Sequence, residues 1–322
     1  MDAVILDASG RPVRQTGCFD LDLAYGDDEN RFTLSNLTFG LSEGMRWIVD
    51  GSPYGGIVDD VKIDSDESSV VSYGGRSLHG ILAAKIVQPD AGQSHLVVSG
   101  EANSVIAQML DRCSVEWLAA SSNDSGISVE SYRFHRYVDL WSGLRMMLAS
   151  CGARLMVRCV NDVPELSAVA RDSYGDVPGE LVSFTASRSY RPVNHLIGLG
   201  TGEGADREVV HWYADASGKV SRTQTLFGLD EVCDVYDLSS ESEDLSGKTR
   251  DKLAEMQGQG TFEVDDLPDD AKLDVGDVVT ASCPDPPMSV EAEVVKVIVK
   301  VDAGEATVSR EVGSPSWPEE ED

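Results

Sequence analysis

Short apolar and polar runs alternate along residues 1–100, and polar turns separate them. Phe19–Leu23 carries apolar side chains at every second position, which is typical of a strand with one buried face. Asp50-Gly51 is a dipeptide that favours a tight hairpin turn. Turn signals recur at short intervals throughout this region, as in barrels and sandwiches. We therefore predict a β-barrel-like domain over residues 1–100.

Helical spacing replaces strand alternation after residue 100. Ala102–Cys113 and Val138–Ser150 each place apolar residues on one face of a helix, and Cys151-Gly152 is a suitable end for the second helix. Two strands joined by a turn follow over residues 153–169. These patterns predict a small α/β module over residues 101–170, with two helices packed against a hairpin.

Strand patterns return after residue 170 and continue almost to the end. We predict a second β-barrel-like domain over residues 171–312, which includes one helix over residues 245–257. Residues 313–322 are rich in proline and acidic side chains, which predicts an acidic tail without regular structure. The predicted fold class is mainly β with an α/β insertion (α+β), in which the small α/β module joins two β-barrel-like domains.

The charge balance is strongly acidic, with 26 Lys and Arg against 56 Asp and Glu and a net charge of −30. Nucleic-acid binding requires basic residues gathered on one face. The densest basic stretch, at Lys248, Arg250 and Lys252, is interleaved with Asp251 and other acidic residues. We therefore predict neither nucleic-acid binding nor adhesion to anionic membranes. The acidity indicates either a solvated surface or one that does not hold DNA passing close to it.

The chain has no apolar run long enough to span a membrane, and its first residues lack the basic and apolar regions of a secretory signal. We expect synthesis in the cytoplasm. The six cysteines form no CxxC pair, so a structural zinc site is not expected. We expect these cysteines to be reduced and mostly buried.

The glycine series from Gly198 to Gly204 resembles a phosphate-binding loop only superficially. A dinucleotide fingerprint places its glycines between a strand and a helix, whereas here Glu208–Tyr213 has the pattern of a strand. The five histidines at 79, 95, 135, 195 and 211 form no metal-binding motif. A catalytic triad assembled from distant residues stays open because triads are defined by geometry. We predict no catalytic, cofactor-binding or metal-binding residue.

Two segments carry a family resemblance. Ser187–Gly204, with Asn194 at its centre, resembles the polar strand, asparagine, apolar strand and glycine series of siphophage tail hub proteins. Leu273–Thr280 is similar to the LGDxV strand that opens the final β unit of tail hub and tail-associated proteins. The helix and hairpin at 138–169 are similar to the middle domain of that family. Residues 1–100 match the family only in their general pattern of extended strands. The structural positions that the resemblance assigns are Asn194, Gly198, Gly200, Gly202, Gly204, Gly276 and Asp277.

The siphophage and prophage baseplate-hub resemblance implies a structural protein of the virion tail, present in the bacterial cytoplasm during assembly. It implies a homotrimer whose six barrels form a pseudo-sixfold ring that joins the tail tube to the tip. Its expected partners are further copies of itself and the tube and tip proteins, without a cofactor. The acidic charge would keep such a ring from trapping a passing genome. The alternatives are a receptor-binding or glycan-binding tail protein and a cell-wall hydrolase, although no lysozyme or peptidase domain is expected in these residues.

Overall fold

The computed structural model describes residues 1–64, 70–175, 183–238, 244–257, 260–266, 272–284 and 287–316. The chain divides into two compact units. The first comprises Met1–Val182, Asp266–Thr280 and Glu293–Gly313; the second comprises Ser183–Asp265, Ala281–Ala292 and Ser314–Asp322. The predicted domain boundaries at residues 100 and 170 both fall inside the first unit. Most of the predicted acidic tail, from residue 317 onward, lies outside the described residues.

The described residues form 22 strands and four α-helices. In chain order these elements are β1 Ala3–Leu6, β2 Pro12–Thr16, β3 Asp20–Gly26, β4 Arg31–Ser35, β5 Arg46–Ile48, β6 Gly55–Asp64, β7 Val70–Ser77, α1 Leu78–Ala83, β8 Val97–Glu101, α2 Ala102–Arg112, β9 Ala119–Ala120, β10 Ser128–Arg133, α3 Leu140–Ala149, β11 Ala153–Val160, β12 Val163–Ala170, β13 Ser173–Tyr174, β14 Ser183–Arg188, β15 His195–Leu199, β16 Val209–Ala214, β17 Val220–Ser221, β18 Cys233–Asp237, α4 Leu245–Met256, β19 Gly260–Asp266, β20 Val278–Pro284, β21 Pro287–Asp302 and β22 Glu305–Val312.

The largest sheet has eleven strands in the order β13-β20-β21-β3-β4-β7-β6-β5-β1-β2, with β22 paired to β21. Its pattern follows from simple alternation: Leu21 and Leu23 in β3 are buried, while Asp22 between them is exposed. The predicted mainly-β class with small helical parts is confirmed. A barrel closes only when its terminal strands pair. Among the described residues the short strands β2 and β13 end an open series.

Helices α2 and α3 pack on the hairpin formed by β11 and β12, as the sequence predicted. Each begins at an acidic residue that accepts backbone N–H groups, namely Glu101 for α2 and Asp139 for α3. Asp139 fixes the first turn of α3, which explains why this helix begins two residues later than predicted. The α/β pattern of this part of the chain is therefore confirmed at the level of its elements.

Several short elements were not predicted. Helix α1 lies in the region predicted to be entirely β, and its six residues are too few to establish a helical period. Strands β10 and β18 were also not predicted. The strand pattern after residue 170 also predicted a strand over residues 221–226; this prediction is wrong, because β17 ends at Ser221 and the following residues form a loop. Of the six cysteines, Cys159 alone is buried, so the expectation of mostly buried thiols is wrong.

The second unit contains a four-stranded sheet in the order β17-β16-β15-β18, and helix α4 covers one of its faces. Leu196, Ala214 and Leu253 form the core between helix and sheet. Gly198 allows the close approach, since a Cβ at this position would lie 2.1 Å from Thr249 Oγ1. The predicted helix over residues 245–257 is confirmed as Leu245–Met256. Strands β14 and β19 form a separate pair in this unit.

His79 is an uncharged member of the core of the first unit. Its ring stacks on Tyr25 at a centroid distance of 3.9 Å and meets the edge of Trp141 at 4.8 Å. Burial, followed by the nearby Arg145 charge, lowers the pKa of His79 to about 3. Protonation would therefore place an unfavourable charge between these two aromatic rings.

Replacement of His79 by Phe should reduce the loss of unfolding free energy that occurs as the pH is lowered. The unfolded chain binds a proton at His79 below about pH 6.5 and the folded chain only near pH 3, so stability is lost as pH falls between these values. We expect this histidine to contribute a slope of about 1.4 kcal/mol per pH unit there. Urea unfolding from pH 7 to pH 4.5 measures the slope. His135→Gln, at an exposed histidine, is the control; an unchanged slope in His79→Phe would contradict the prediction.

Candidate functional site

Gly276 and Asp277, two of the family-motif positions, lie in a tight turn of the first unit. The Asp277 N–H donates to the Asp274 carbonyl at 3.0 Å, and Gly276 has a φ of +100°, which suits glycine at the third position of a type II turn. The Asp277 carboxylate accepts the backbone N–H groups of Asp172 and Asp274, both at 2.8 Å. The Asp277 side chain therefore fixes the backbone of the turn through these hydrogen bonds.

Asp277 also forms a buried ion pair with Arg154 of β11. Arg154 Nε lies 2.5 Å from Asp277 Oδ1, and the two side chains are 8% and 0% exposed. Burial raises the pKa of Asp277, against the opposing effects of its backbone hydrogen bonds and of Arg154. Gly276 leaves room for this arrangement, because a Cβ there would lie 2.9 Å from Arg154 Cβ. The LGDxV segment thus anchors the turn before β20 to the α/β part of the first unit.

Arg154→Leu should destabilise the protein by about 3–5 kcal/mol, because it leaves a carboxylate buried without its counter-charge. The same change made in an Asp277→Asn background should cost at least about 1 kcal/mol less. Urea unfolding of the four proteins gives this coupling energy. The exposed pair Arg31–Asp60, 2.7 Å apart, is the matched control and should couple by about 0.5 kcal/mol at most. Equal coupling in both pairs would contradict a special role for Asp277.

Asn194, the third motif position, organises a loop of the second unit. Its side chain is buried, donates to the Asp230 carbonyl at 2.7 Å and accepts the Val232 N–H at 3.0 Å. Arg191 donates to the Leu229 carbonyl at 2.7 Å, and a 3-10 turn spans Gly228–Asp230. These bonds fix the path of the backbone on both sides of the loop tip.

The tip of this loop displays two large apolar side chains. Phe227 is 63% exposed and Leu229 is 90% exposed. We call residues 226–230 the apolar loop. Sequence reasoning did not single it out, although two large apolar residues on either side of a glycine were a visible signal. An apolar pair held outward by fixed backbone is a typical feature of a protein contact surface.

The four motif glycines serve the bend between β15 and β16. Gly198 and Gly200 lie under helix α4, and a Cβ at Gly200 would lie 2.9 Å from Leu245 Cδ2. Gly202 and Gly204 have positive φ angles of +105° and +59°. Strand β16 follows them and pairs with β15, so the predicted strand is confirmed and the glycines do not lead into an α-helix. The geometry of a dinucleotide-binding loop is therefore not formed.

Two of the scattered histidines meet beside the apolar loop. His195 Nδ1 lies 2.6 Å from Glu231 Oε1, and His195 Nε2 lies 2.8 Å from His211 Nδ1. Gln224 donates to the same Glu231 oxygen at 3.0 Å. The pair was invisible in the sequence because it depends on the register of β15 and β16, in which His195 lies opposite Tyr213. Glu231 directly follows the apolar loop, so this cluster ties the loop to the sheet.

An imidazole oriented by a carboxylate is also the core of many general-base sites. Such a site catalyses nucleophilic chemistry only if a reactive nucleophile lies beside the imidazole. Cys233 lies opposite His195 in the neighbouring strand β18. Burial, then the carboxylates of Glu231 and Asp234, raise the pKa of the Cys233 thiol. A raised pKa disfavours the reactive thiolate. The second ring nitrogen of His195 moreover faces His211. The arrangement favours a structural role over nucleophilic chemistry.

The part of the chain that the structure describes contains no group of three His, Cys, Asp or Glu side chains arranged to hold a metal ion. Over the same residues, none of the helices combines the length and the apolar character needed to cross a bilayer.

No protein-family model matches the chain, and no curated protein matches it. Solved structures do match it along most of its length. Prophage tail protein gp18 from Listeria monocytogenes EGD-e has 8% identity and a TM-score of 0.48, covering 98% of this chain and 93% of its own. The tail protein from Neisseria meningitidis MC58 has 12% identity and a TM-score of 0.45, covering 96% of each chain. The prophage MuSo2 43 kDa tail protein from Shewanella oneidensis has 13% identity and a TM-score of 0.48, covering 97% and 98%.

All three solved structures are tail proteins.

Asn194→Asp should loosen the apolar loop. The new carboxylate still accepts the Val232 N–H but can no longer donate to the Asp230 carbonyl, which leaves a buried acceptor facing a negative charge. We expect a loss of about 1–3 kcal/mol and faster amide exchange at Val232. Hydrogen exchange and urea unfolding measure both effects. Gln93→Glu introduces the same charge at an exposed position and is the control; protection of Val232 unchanged from wild type would contradict the assigned role.

Proposed function

We propose that this chain is a non-enzymatic structural component of a phage or prophage tail, and that it acts as a hub ring between the tail tube and the tip. The proposal is supported by the position of the hub-like sequence segments in the fold. Asn194 holds the apolar loop, and the glycines that follow it shape the adjoining sheet. Asn194, one of the residues that carry the resemblance, therefore holds a loop whose exposed apolar side chains would suit a contact surface.

The apolar loop is the observation that carries the proposal. Leu229 and Phe227 stand in solvent at the tip of a backbone fixed by Asn194 and Arg191. A preorganised apolar anchor binds well because little conformational entropy is lost on contact. Large apolar groups at the centre of an interface supply most of its binding energy. Assembly through this loop would bury the exposed side chains of Phe227 and Leu229 in an interface.

The charge of the chain fits assembly through apolar contacts. Copies with a net charge of −30 repel each other at low salt, so association between them needs apolar surface to offset that repulsion. We propose a homotrimer in the virion tail, in which the apolar loop of each copy contacts its neighbour. Tube and tip proteins would bind above and below the ring. An acidic lumen would not retain DNA that passes through it.

Substitution of both apolar loop residues should impair assembly without impairing the fold. We expect the wild-type protein to form trimers, visible as rings in negative-stain electron microscopy, and Phe227→Ser with Leu229→Ser to shift the protein toward monomer by at least tenfold in dissociation constant, about 1.4 kcal/mol. Analytical ultracentrifugation measures the shift. Both side chains already lie in solvent, so the unfolding curve of the variant should stay close to that of wild type.

Val160→Ser with Val163→Ser is the matched control, because these residues are also exposed and apolar and lie beside the turn of the β11–β12 hairpin. The control protein should assemble like wild type. A wild-type chain that remains monomeric at every concentration would remove the ring from the proposal. Equal loss of assembly in both variants would show that the apolar loop is not the contact.

A further inference from the structure

A cleft of about 480 Å³ in the first unit gathers positive charge in an otherwise acidic chain. Four cationic side chains line it, at Arg154, Arg158, Lys272 and Arg310. Among the described residues that line the cleft, Asp274 is the only one with a carboxylate, and the Tyr25 hydroxyl already donates to that carboxylate at 2.9 Å. Cationic side chains thus outnumber carboxylates in the lining of the cleft, whereas acidic residues outnumber basic ones in the chain as a whole.

Arg154 forms the floor of the cleft and is only 8% exposed. Three carboxylates surround it: Asp277 Oδ1 lies 2.5 Å from Nε, Asp172 Oδ2 3.7 Å from Nη2 and Asp274 Oδ2 3.9 Å from Nη1. Even so, neither the buried Nε nor the buried Nη1 has a hydrogen-bond acceptor with suitable geometry among the described residues. A buried guanidinium N–H without an acceptor is costly. An anionic group in the cleft would act on this buried guanidinium as a further counter-charge.

The rest of the lining suits a peptide better than a small ion. Arg310 is oriented by its Nε bond to the Leu273 carbonyl at 2.8 Å, whereas Arg158 and Lys272 are exposed at the rim. Apolar side chains from β11, β21 and β22 lie between these charges, at Met156, Val297 and Val308. A planar carboxylate matches the fork of a guanidinium, and apolar wall beside it accommodates a neighbouring side chain or proline ring.

We propose that this cleft binds a carboxylate-rich peptide, and that its occupant is the acidic segment 314–322 of a second copy of the chain. Residues 314–322 read SPSWPEEED, with four consecutive carboxylate side chains at Glu319–Asp322 and a tryptophan and a proline before them. The segment supplies carboxylates for the rim and for Arg154, and apolar groups for the wall. The proposal does not depend on a tail function or on a ring.

The test uses the full chain with its own acidic segment made neutral by E319Q, E320Q, E321Q and D322N, so that this segment cannot occupy the cleft. A fluorescent peptide of sequence SPSWPEEED is titrated into this protein, and anisotropy is recorded. We expect saturable binding that weakens as salt increases. The peptide SPSWPQQQN should bind at least tenfold more weakly. Equal binding of the two peptides would overturn the proposal.

Rim substitutions locate the binding site. Arg158→Ala with Lys272→Ala should weaken binding of the acidic peptide about fivefold to tenfold, since two charge contacts are lost. Lys62→Ala with Arg133→Ala removes two exposed cations elsewhere in the first unit and should leave binding unchanged. Unchanged binding in the rim variant, with its fold verified by circular dichroism, would overturn the assignment.

Inorganic phosphate separates a peptide site from a general anion site. We expect phosphate to displace the peptide only at concentrations far above that of the peptide. Displacement at comparable concentrations would show that the cleft recognises charge alone, which overturns the peptide assignment. Sedimentation of the same proteins without peptide reports their assembly separately, so that a failure of the cleft proposal does not count against the ring.

Discussion

The buried pair of Arg154 and Asp277 links three parts of the first unit. Asp277 holds its own turn through two backbone N–H groups, and its charge keeps Arg154 inside the fold. Arg154 in turn forms the floor of the basic cleft. A buried ion pair of this kind contributes little net stability but strongly penalises arrangements that separate the two charges. Specificity of arrangement, more than stability, is therefore what the pair provides.

Polar contacts shape the second unit in a comparable way. The helix side of its sheet is packed through Leu196 and Leu253, whereas the side with His195 is organised by hydrogen bonds. Asn194 and Glu231 connect that organisation to the apolar loop. Directional bonds of this type fix a position more narrowly than apolar packing does. The loop can therefore present Leu229 to solvent without collapsing onto the sheet.

Long periodic elements were predictable from the sequence, and arrangements that depend on register were not. Helix α4 was predicted almost to the residue because its pattern continues over three turns, while the six-residue α1 was too short to establish a period. The contact between His195 and His211 depends on how two strands align, which a single sequence does not specify. Phe227 and Leu229 are apolar, and a pattern of residue types does not distinguish an exposed pair from a buried one.

The pairing of β3 with β21 constrains how the chain acquires its shape during synthesis. Residues 296–301 lie against residues 21–26, so the edge of β3 stays open until nearly all of these residues have left the ribosome. Contacts this distant along the chain form slowly, and an open strand edge invites pairing with other chains. An incomplete polypeptide would lack the strand that protects this edge. Synthesis of β21 must therefore precede the pairing that protects this edge.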